Sequence, residues 1–376
     1  MKFRIILVAT AALAAATAVA QQPAQPAPKP AAAEQVRDVA VTTVEIRETV
    51  EELAQKLDDI YVFPDIAKRY ATMLRANAAS GAYDGFSSGK DLAERLSNDL
   101  NAVSADRHLR VTLREPEQPV QNAAATSGPP RQVFPWKSIE EERWLAPGIA
   151  YIRFNVFPSD EATVAAVKAF MIEHADAETI IFDNRTHHGG GLEEMNAMFP
   201  YLFAKTEALV TMDTRVSNYD GNDDPGLRRI AAPEGVVRHE HFVVPSTTEK
   251  RLFGAKVFVL TSGRSASAAE HMTLALKHTH RATIIGDTTA GAGHYGGVQP
   301  VGDKFDVFIP IGRSFDPDTG KDWEATGIEP DVAVPADQAL TEALVRSGLE
   351  RAEAERINAT VKPSGPMTRP VKKQVS

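Results

Sequence analysis

Apolar residues recur at helical spacing along the first part of the chain. Val50, Leu53, Leu57 and Ile60 fall on one face of a helix that starts near Val44. Pro64-Asp65 restarts a helix whose inner side is Ile66, Tyr70 and Met73, and Leu92, Leu96, Leu100 and Val103 form a third stripe beyond the Gly81 to Gly89 turn region. Three amphipathic helices predict a small bundle. At Asp106 the period drops to two: Leu109, Val111 and Leu113 alternate with Arg110 and Thr112, so a short strand follows, with His108 at the junction.

The stretch from Glu115 to Gln132, with Gly128-Pro129-Pro130, is polar and turn-forming. Beyond it, strand-like runs alternate with helices: Ile149 to Phe154, a helix after Ser159-Asp160 carrying Val164, Val167 and Met171, then Thr179 to Asp183. A helical run near Leu192 ends by Pro200, Lys256 to Thr261 is a nearly continuous apolar strand, Ser265 to His278 a helix, and Ala282 to Gly286 a further strand. This is the rhythm of an α/β sheet, and the unbroken Val/Ile/Leu content predicts strands buried on both faces. Asp213 to Lys250 is rich in Gly, Asp, Asn and Pro and reads as a long irregular loop of the kind that faces a substrate. A helix after Pro335 through Leu344 and Leu349 closes the fold, and the last residues read as a basic tail.

Composition narrows the chemistry. The 376 residues are 43% hydrophobic and 24% charged, an ordinary globular balance. A net charge of −9 without a lysine-rich block argues against a nucleic-acid partner. The chain has no cysteine, which excludes thiolate nucleophiles, disulfides and cysteine-ligated zinc. Lys2 and Arg4 precede a short alanine-rich apolar run ending in Ala18-Val19-Ala20, the pattern of a cleaved export signal rather than a stable membrane insertion. The expected organisation is therefore a signal over 1–20, a flexible Pro/Ala/Gln spacer over 21–35, a helical region with a strand over 36–114, a linker over 115–132, an α/β core over 133–350 and a tail over 351–376.

Two segments carry candidate chemistry. In Leu260-Thr-Ser-Gly-Arg-Ser-Ala-Ser-Ala-Ala-Glu270 a buried strand ends in a small-residue turn that runs into a helix, placing Ser267 beside the free N–H groups of a helix start, where an oxyanion is stabilised. Ser267-x-x-Glu270 equally fits an ordinary capping box. In Ile181-Phe-Asp-Asn-Arg-Thr-His-His-Gly-Gly-Gly191 three glycines follow the end of another strand and permit close backbone approach. Neither segment matches a dinucleotide or P-loop pattern.

Together these pieces, with Ile-Ile-Gly-Asp-Thr-Thr-Ala-Gly-Ala and Glu324-x-x-Gly-Ile-Glu-Pro-Asp331 in the same order, resemble the C-terminal-processing (tail-specific) serine peptidases over about residues 45–340. The lysine of the Ser-Lys members has Ala292 in its place here, and the linker is too short for a PDZ module. The chain is more similar to the tricorn-core and interphotoreceptor retinoid-binding protein branch. That resemblance implies an α/β, ClpP/crotonase-like core of ββα units behind a small helical domain. It also implies Ser267 as nucleophile, His108 as general base, Glu324 as the group orienting the histidine, and an oxyanion site at the N–H groups of Ala268 and of Gly189 or Gly190. His294 is a rival base.

His187 and His188 stand where many relatives have Asn and Gly, and with His294 they are candidate substrate contacts. His239-Glu-His241 has spacing for two metal ligands on one strand face but reads as a solvated strand edge, and no third ligand is evident. The expectation is an exported serine peptidase acting on peptides or proteins, with no cofactor and no metal. The alternatives are a hydrophobic-ligand or peptide-binding module on the same fold, or an esterase.

Overall fold

The computed structural model describes residues 38–114, 136–221 and 224–369. The expected signal, spacer and linker lie outside the described residues. Helix α1 (Thr43–Ile60) opens with a closed capping box between Thr42 and Glu45. Helix α2 (Pro64–Ala79) has proline in its first turn, and α3 (Gly89–Val103) is capped by the Ser88 side chain accepting from the Asp91 N–H. Strand β1 (Arg110–Leu113) follows. The helices do not close a core among themselves: Leu53, Leu57, Tyr70, Leu74, Leu96 and Leu100 pack with Val301, Phe305, Val307 and Ile309 from strands near the other end of the chain.

The remaining elements are β2 (Ile139–Ala146), β3 (Ile149–Phe154), α4 (Glu161–Glu173), β4 (Thr179–Asp183), α5 (Glu193–Met198), β5 (Glu207–Arg215), β6 (Leu227–Ile230), β7 (Val236–Val243), β8 (Lys256–Thr261), α6 (Ala268–His278), β9 (Thr283–Gly286), β10 (His294–Val301), β11 (Phe305–Phe315), β12 (Val332–Ala333), α7 (Ala339–Arg346) and α8 (Arg351–Thr360). Among the described residues the strands form two sheets. One runs β12-β9-β8-β4-β3-β2, parallel except for the antiparallel β2. The other runs β1-β11-β5-β7-β6, with β10 also pairing with β11.

Strands β3, β4 and β8 are buried on both faces, as their composition predicts. Alternate residues serve opposite layers. Ile152, Ile180, Phe182, Val257 and Val259 face the core that contains α4 and α6, while Tyr151, Ile181, Phe258 and Leu260 face α7 and α8.

The structure departs from the sequence reading in four places. Residues 213–250 are not an irregular loop, because β6 and β7 lie within them and extend the sheet from β5. Helix α8 lies in the expected tail, and Ala354 and Ile357 are buried in the core, so the folded region continues past residue 350. Strand β2 is concealed by its charges, which an outer antiparallel strand carries on its exposed side. Strands β10 and β11 are masked by glycine and proline at Gly296, Gly297, Pro300 and Pro310, with a register shift at Tyr295/Gly296.

Candidate active site

Strands β4 and β8 are parallel neighbours with Asp183 opposite Leu260, so their C-terminal loops leave the sheet side by side. Serines stitch the loops together: Ser262 Oγ donates to the Arg185 carbonyl at 2.6 Å and Ser265 Oγ to the Asn184 carbonyl at 2.7 Å, and the Ala266 N–H donates to the His187 carbonyl at 3.0 Å. A buried charge cluster lies behind them. Asp183 accepts from Arg185 Nε at 2.8 Å and Nη2 at 2.7 Å, from Arg153 Nε at 3.0 Å and from Tyr151 OH at 2.6 Å. Burial opposes its charge, but the two guanidiniums hold the carboxyl well below the usual carboxylate range.

Ser267 caps α6 with φ 55° and ψ −117°, a conformation that costs free energy in a residue with a side chain and that the surrounding loops enforce. Its N–H donates to Glu270 Oε2 at 2.9 Å. Glu270 also accepts from Thr289 Oγ1 and the Gly291 N–H, both at 2.6 Å, and from the Ala292 N–H at 2.7 Å. The carboxyl that resembles a simple helix cap thus ties the serine turn to the 289–292 turn. Burial pushes its pKa up to about 7.

Ser267 and His294 line one cavity of about 130 Å³, together with Gly190, Ala268 and Ala292. Gly190 has φ 126°, and a Cβ there would collide with the Phe157 carbonyl oxygen, so no other residue fits. Gly189 is pressed against the serine, its Cβ position 2.7 Å from Ser267 Cβ. Its N–H is already spent on His187 Nδ1 at 3.0 Å, which removes it from the oxyanion role. The N–H groups of Ala268 and Gly190 make no protein hydrogen bond among the described residues, and both residues line the cavity.

His294 Nδ1 is 2.8 Å from Asp106 Oδ2, and the buried Nε2 has no partner among the described residues. Asp106 is itself fixed by Tyr61 OH at 2.9 Å and by the His108 and Leu109 N–H groups at 3.0 and 3.1 Å. Burial works against the charge on both partners, yet their attraction prevails: His294 is raised above its ordinary value and Asp106 lowered. Glu324 braces the arrangement. Its Oε1 accepts from the Arg107 N–H at 2.6 Å, and its Oε2 from the Gly293 N–H at 2.7 Å and the His294 N–H at 3.2 Å.

The structure therefore brings Ser267, Ala268, Gly190, His294 and Glu324 together, and adds Asp106, which sequence reasoning treats only as a neighbour of His108. His108 does not line the serine cavity. Its ring stacks on Phe308 at 5.1 Å, its Nδ1 is buried without a partner among the described residues, and burial lowers its pKa to about 4. It still lies close to the carboxylates: one ligand atom each from Asp106, His108 and Glu324 fall within 4.8 Å of one another.

Two expected substrate contacts are otherwise employed. His187 is fully buried against Phe157, where it anchors Gly189 and is too enclosed to meet a substrate; burial lowers its pKa to about 3. His188 stacks on Trp136 at 4.5 Å outside the cavity. His239 and His241 are buried on β7, an inner strand between β5 and β6, rather than on a solvated edge.

Two family models meet end to end on this chain. The N-terminal domain of peptidase S41 in eukaryotic IRBP matches residues 31–147, and peptidase family S41 matches residues 148–334. The chain belongs to peptidase family S41, and its N-terminal region matches the branch expected from its motifs. The carboxy-terminal processing protease CtpB of Bacillus subtilis (strain 168) is 24% identical over 194 residues, 52% of this chain. The chain spans only 35% of the length of that curated relative. Among solved structures, the photosystem II D1 C-terminal processing protease aligns with a TM-score of 0.51 at 16% identity, over 82% of this chain and 99% of its own. A Parabacteroides merdae protein solved as a peptidase candidate aligns with a TM-score of 0.53 at 16% identity, over 81% and 97%. These two likenesses establish the fold.

Proposed function

We propose that the protein is a serine peptidase that cleaves peptide bonds through an acyl-enzyme on Ser267, with His294 as general base and Asp106 as its orienting carboxylate. The observation that carries this reading is the shared cavity of Ser267 and His294, whose Nδ1 is held by Asp106 while Nε2 has no partner among the described residues. As Ser267 Oγ attacks the scissile carbonyl, His294 Nε2 takes its proton, and Asp106 stabilises the imidazolium. The N–H groups of Ala268 and Gly190 receive the negative charge of the tetrahedral oxygen. The His294 proton then passes to the leaving amine, and water attacks the acyl-enzyme with His294 again as base. Glu324 positions the Gly293-His294 backbone.

The proximity of His108 to Asp106 and Glu324 supports a second reading, in which His108 is the base and Glu324 its partner. The two readings separate under a fluorophosphonate probe, with the adduct mapped by peptide mass spectrometry. Labelling at Ser267 that His294→Ala abolishes and His108→Ala retains supports the first. The reverse pattern supports the second. A folded protein that never labels favours a ligand-binding module on the same fold. The Lys2 to Ala20 pattern supports export to the periplasm or beyond, with peptides or proteins as substrates. Among the described residues no helix is long and apolar enough to cross a membrane.

A further inference from the structure

Behind the nucleophile lies a pair of buried histidines that the proposed mechanism does not use. His271 follows Glu270 on α6, donates its backbone N–H to the Ser267 carbonyl at 2.9 Å, and lines the serine cavity. Its Nε2 is 2.9 Å from Nδ1 of His241 on β7, and His241 Nε2 is 2.9 Å from Asn196 Oδ1 on α5. A carboxamide oxygen can only accept, so His241 carries its proton on Nε2. Burial keeps both rings neutral, lowering His241 to about 4 and His271 well below its ordinary value. The bare Nδ1 of His241 then accepts from His271 Nε2–H, and the remaining polar atom of His271, Nδ1, is left as an acceptor. Asn196 thereby sets the hydrogen-bonding character of a ring on the far side of His241.

The same cavity is lined by Trp323, whose buried Nε1–H has no partner among the described residues and can only donate. Much of the remaining wall is apolar, including Leu192, Met212, Ala268 and Ala292. The polar side chain of Tyr295 is already engaged, its OH paired with Thr214 Oγ1 at 2.7 Å. Beside the reacting groups, Ser267, His294 and the Ala268 and Gly190 N–H groups, and the Ser314 hydroxyl, this largely apolar wall presents one fixed acceptor and one donor unpaired among the described residues, a pair that suits a group that donates and accepts at once. A hydroxyl is the smallest such group, and the cavity is small.

We propose that this cavity selects a substrate bearing a hydroxyl side chain beside the scissile bond, threonine foremost, over its isostere valine, with His271 and Trp323 as the specificity-determining pair. The inference rests on Ser267 being the nucleophile. His241 and Asn196 act as positioning residues through the tautomer of His271. Because valine and threonine fill nearly the same volume, their comparison isolates the hydroxyl, and a site built around a hydroxyl penalises the analogue that leaves its polar groups unpaired.

The test uses two dipeptidyl phosphonate diphenyl esters that differ only in a threonine-like or valine-like side chain beside phosphorus, with Ser267 labelling followed by mass spectrometry. The expected result is labelling at least about tenfold faster by the threonine-like probe. His271→Leu and, as a substitution outside the cavity, Asn196→Ala are expected to bring the ratio towards one. Equal rates, a valine preference, or no labelling by either probe while fluorophosphonate labels Ser267 would overturn the selectivity and leave the peptidase reading standing. Failure of Ser267 to react with fluorophosphonate as well would overturn both. A ratio that persists in both variants would show that the histidine chain does not determine it.

Discussion

His294 and Asp106, 188 residues apart, share a buried hydrogen bond of 2.8 Å from Nδ1 to Oδ2. The contact joins the loop after α3 to the start of β10, and so couples the helical region to the cavity wall containing Ser267. Tyr61, just past the end of α1, holds the other side of the carboxylate. The N-terminal helices are thus part of the site and not an appendage to it.

Asp106→Asn is expected to lower kcat/KM by roughly 10³- to 10⁴-fold, because an amide does not hold the imidazolium or its tautomer as a carboxylate does. Steady-state kinetics on the folded variant checks this. Loss of less than about tenfold would remove Asp106 from the mechanism.

The pH profile has a defined sign. A base must be neutral to accept a proton, and His294 is raised above the ordinary 6.5 by Asp106 and Glu324. Activity is therefore expected to rise with pH through a midpoint above 6.5 and to be lost on acidification. In residual Asp106→Asn activity the midpoint moves down. His108, with a pKa lowered to about 4, contributes no limb near neutrality. A profile of kcat/KM from about pH 5 to 9, with wild type and His108→Gln, distinguishes the two histidines.

Gly190→Ala is expected to cost at least about 100-fold in kcat, through loss of an oxyanion donor, together with roughly 1–3 kcal/mol of stability from backbone strain. Its Cβ would collide with the Phe157 carbonyl oxygen at φ 126°, so the turn must shift. Urea unfolding alongside kinetics separates the two effects.

Glu270 links stability to pH. Its pKa is raised by burial to about 7 from the ordinary 4.5, so the native state binds the proton more tightly than the unfolded chain does. Its contribution is fully present below about 4.5 and is lost as pH rises through about 7. Thermal unfolding across that window is expected to show a falling component of up to ~3 kcal/mol, absent in Glu270→Gln. The amide of that variant offers a single acceptor oxygen where the carboxylate serves four donors, and the displaced serine turn is expected to lower kcat by about 100-fold.

Asp183→Asn leaves Arg153 and Arg185 buried with their shared charge removed. A loss of about 3–5 kcal/mol is expected from denaturant unfolding. A change under about 1 kcal/mol would show that the cluster relaxes.

Much of this protein is written locally. The stripes at Leu53, Leu57, Leu96 and Leu100, the apolar runs of β3, β4 and β8, and the small-residue turn before Ser267 follow from helical period, continuous burial and turn chemistry, which act between near neighbours in the chain. Strands β6, β7, β10 and β11 are concealed because their residues meet partners far away, and pairing across a sheet overrides glycine, proline and charge within a strand. Sequence determined the setting of Ser267 and the glycine turn beside it. Only tertiary structure decided that, among the described residues, Gly190 rather than Gly189 has an uncommitted N–H, that His294 rather than His108 shares the cavity of Ser267, and that Asp106 reaches across 188 residues to hold it. Hydrogen bonds and burial depend on distance in space, and no spacing along the chain encodes them.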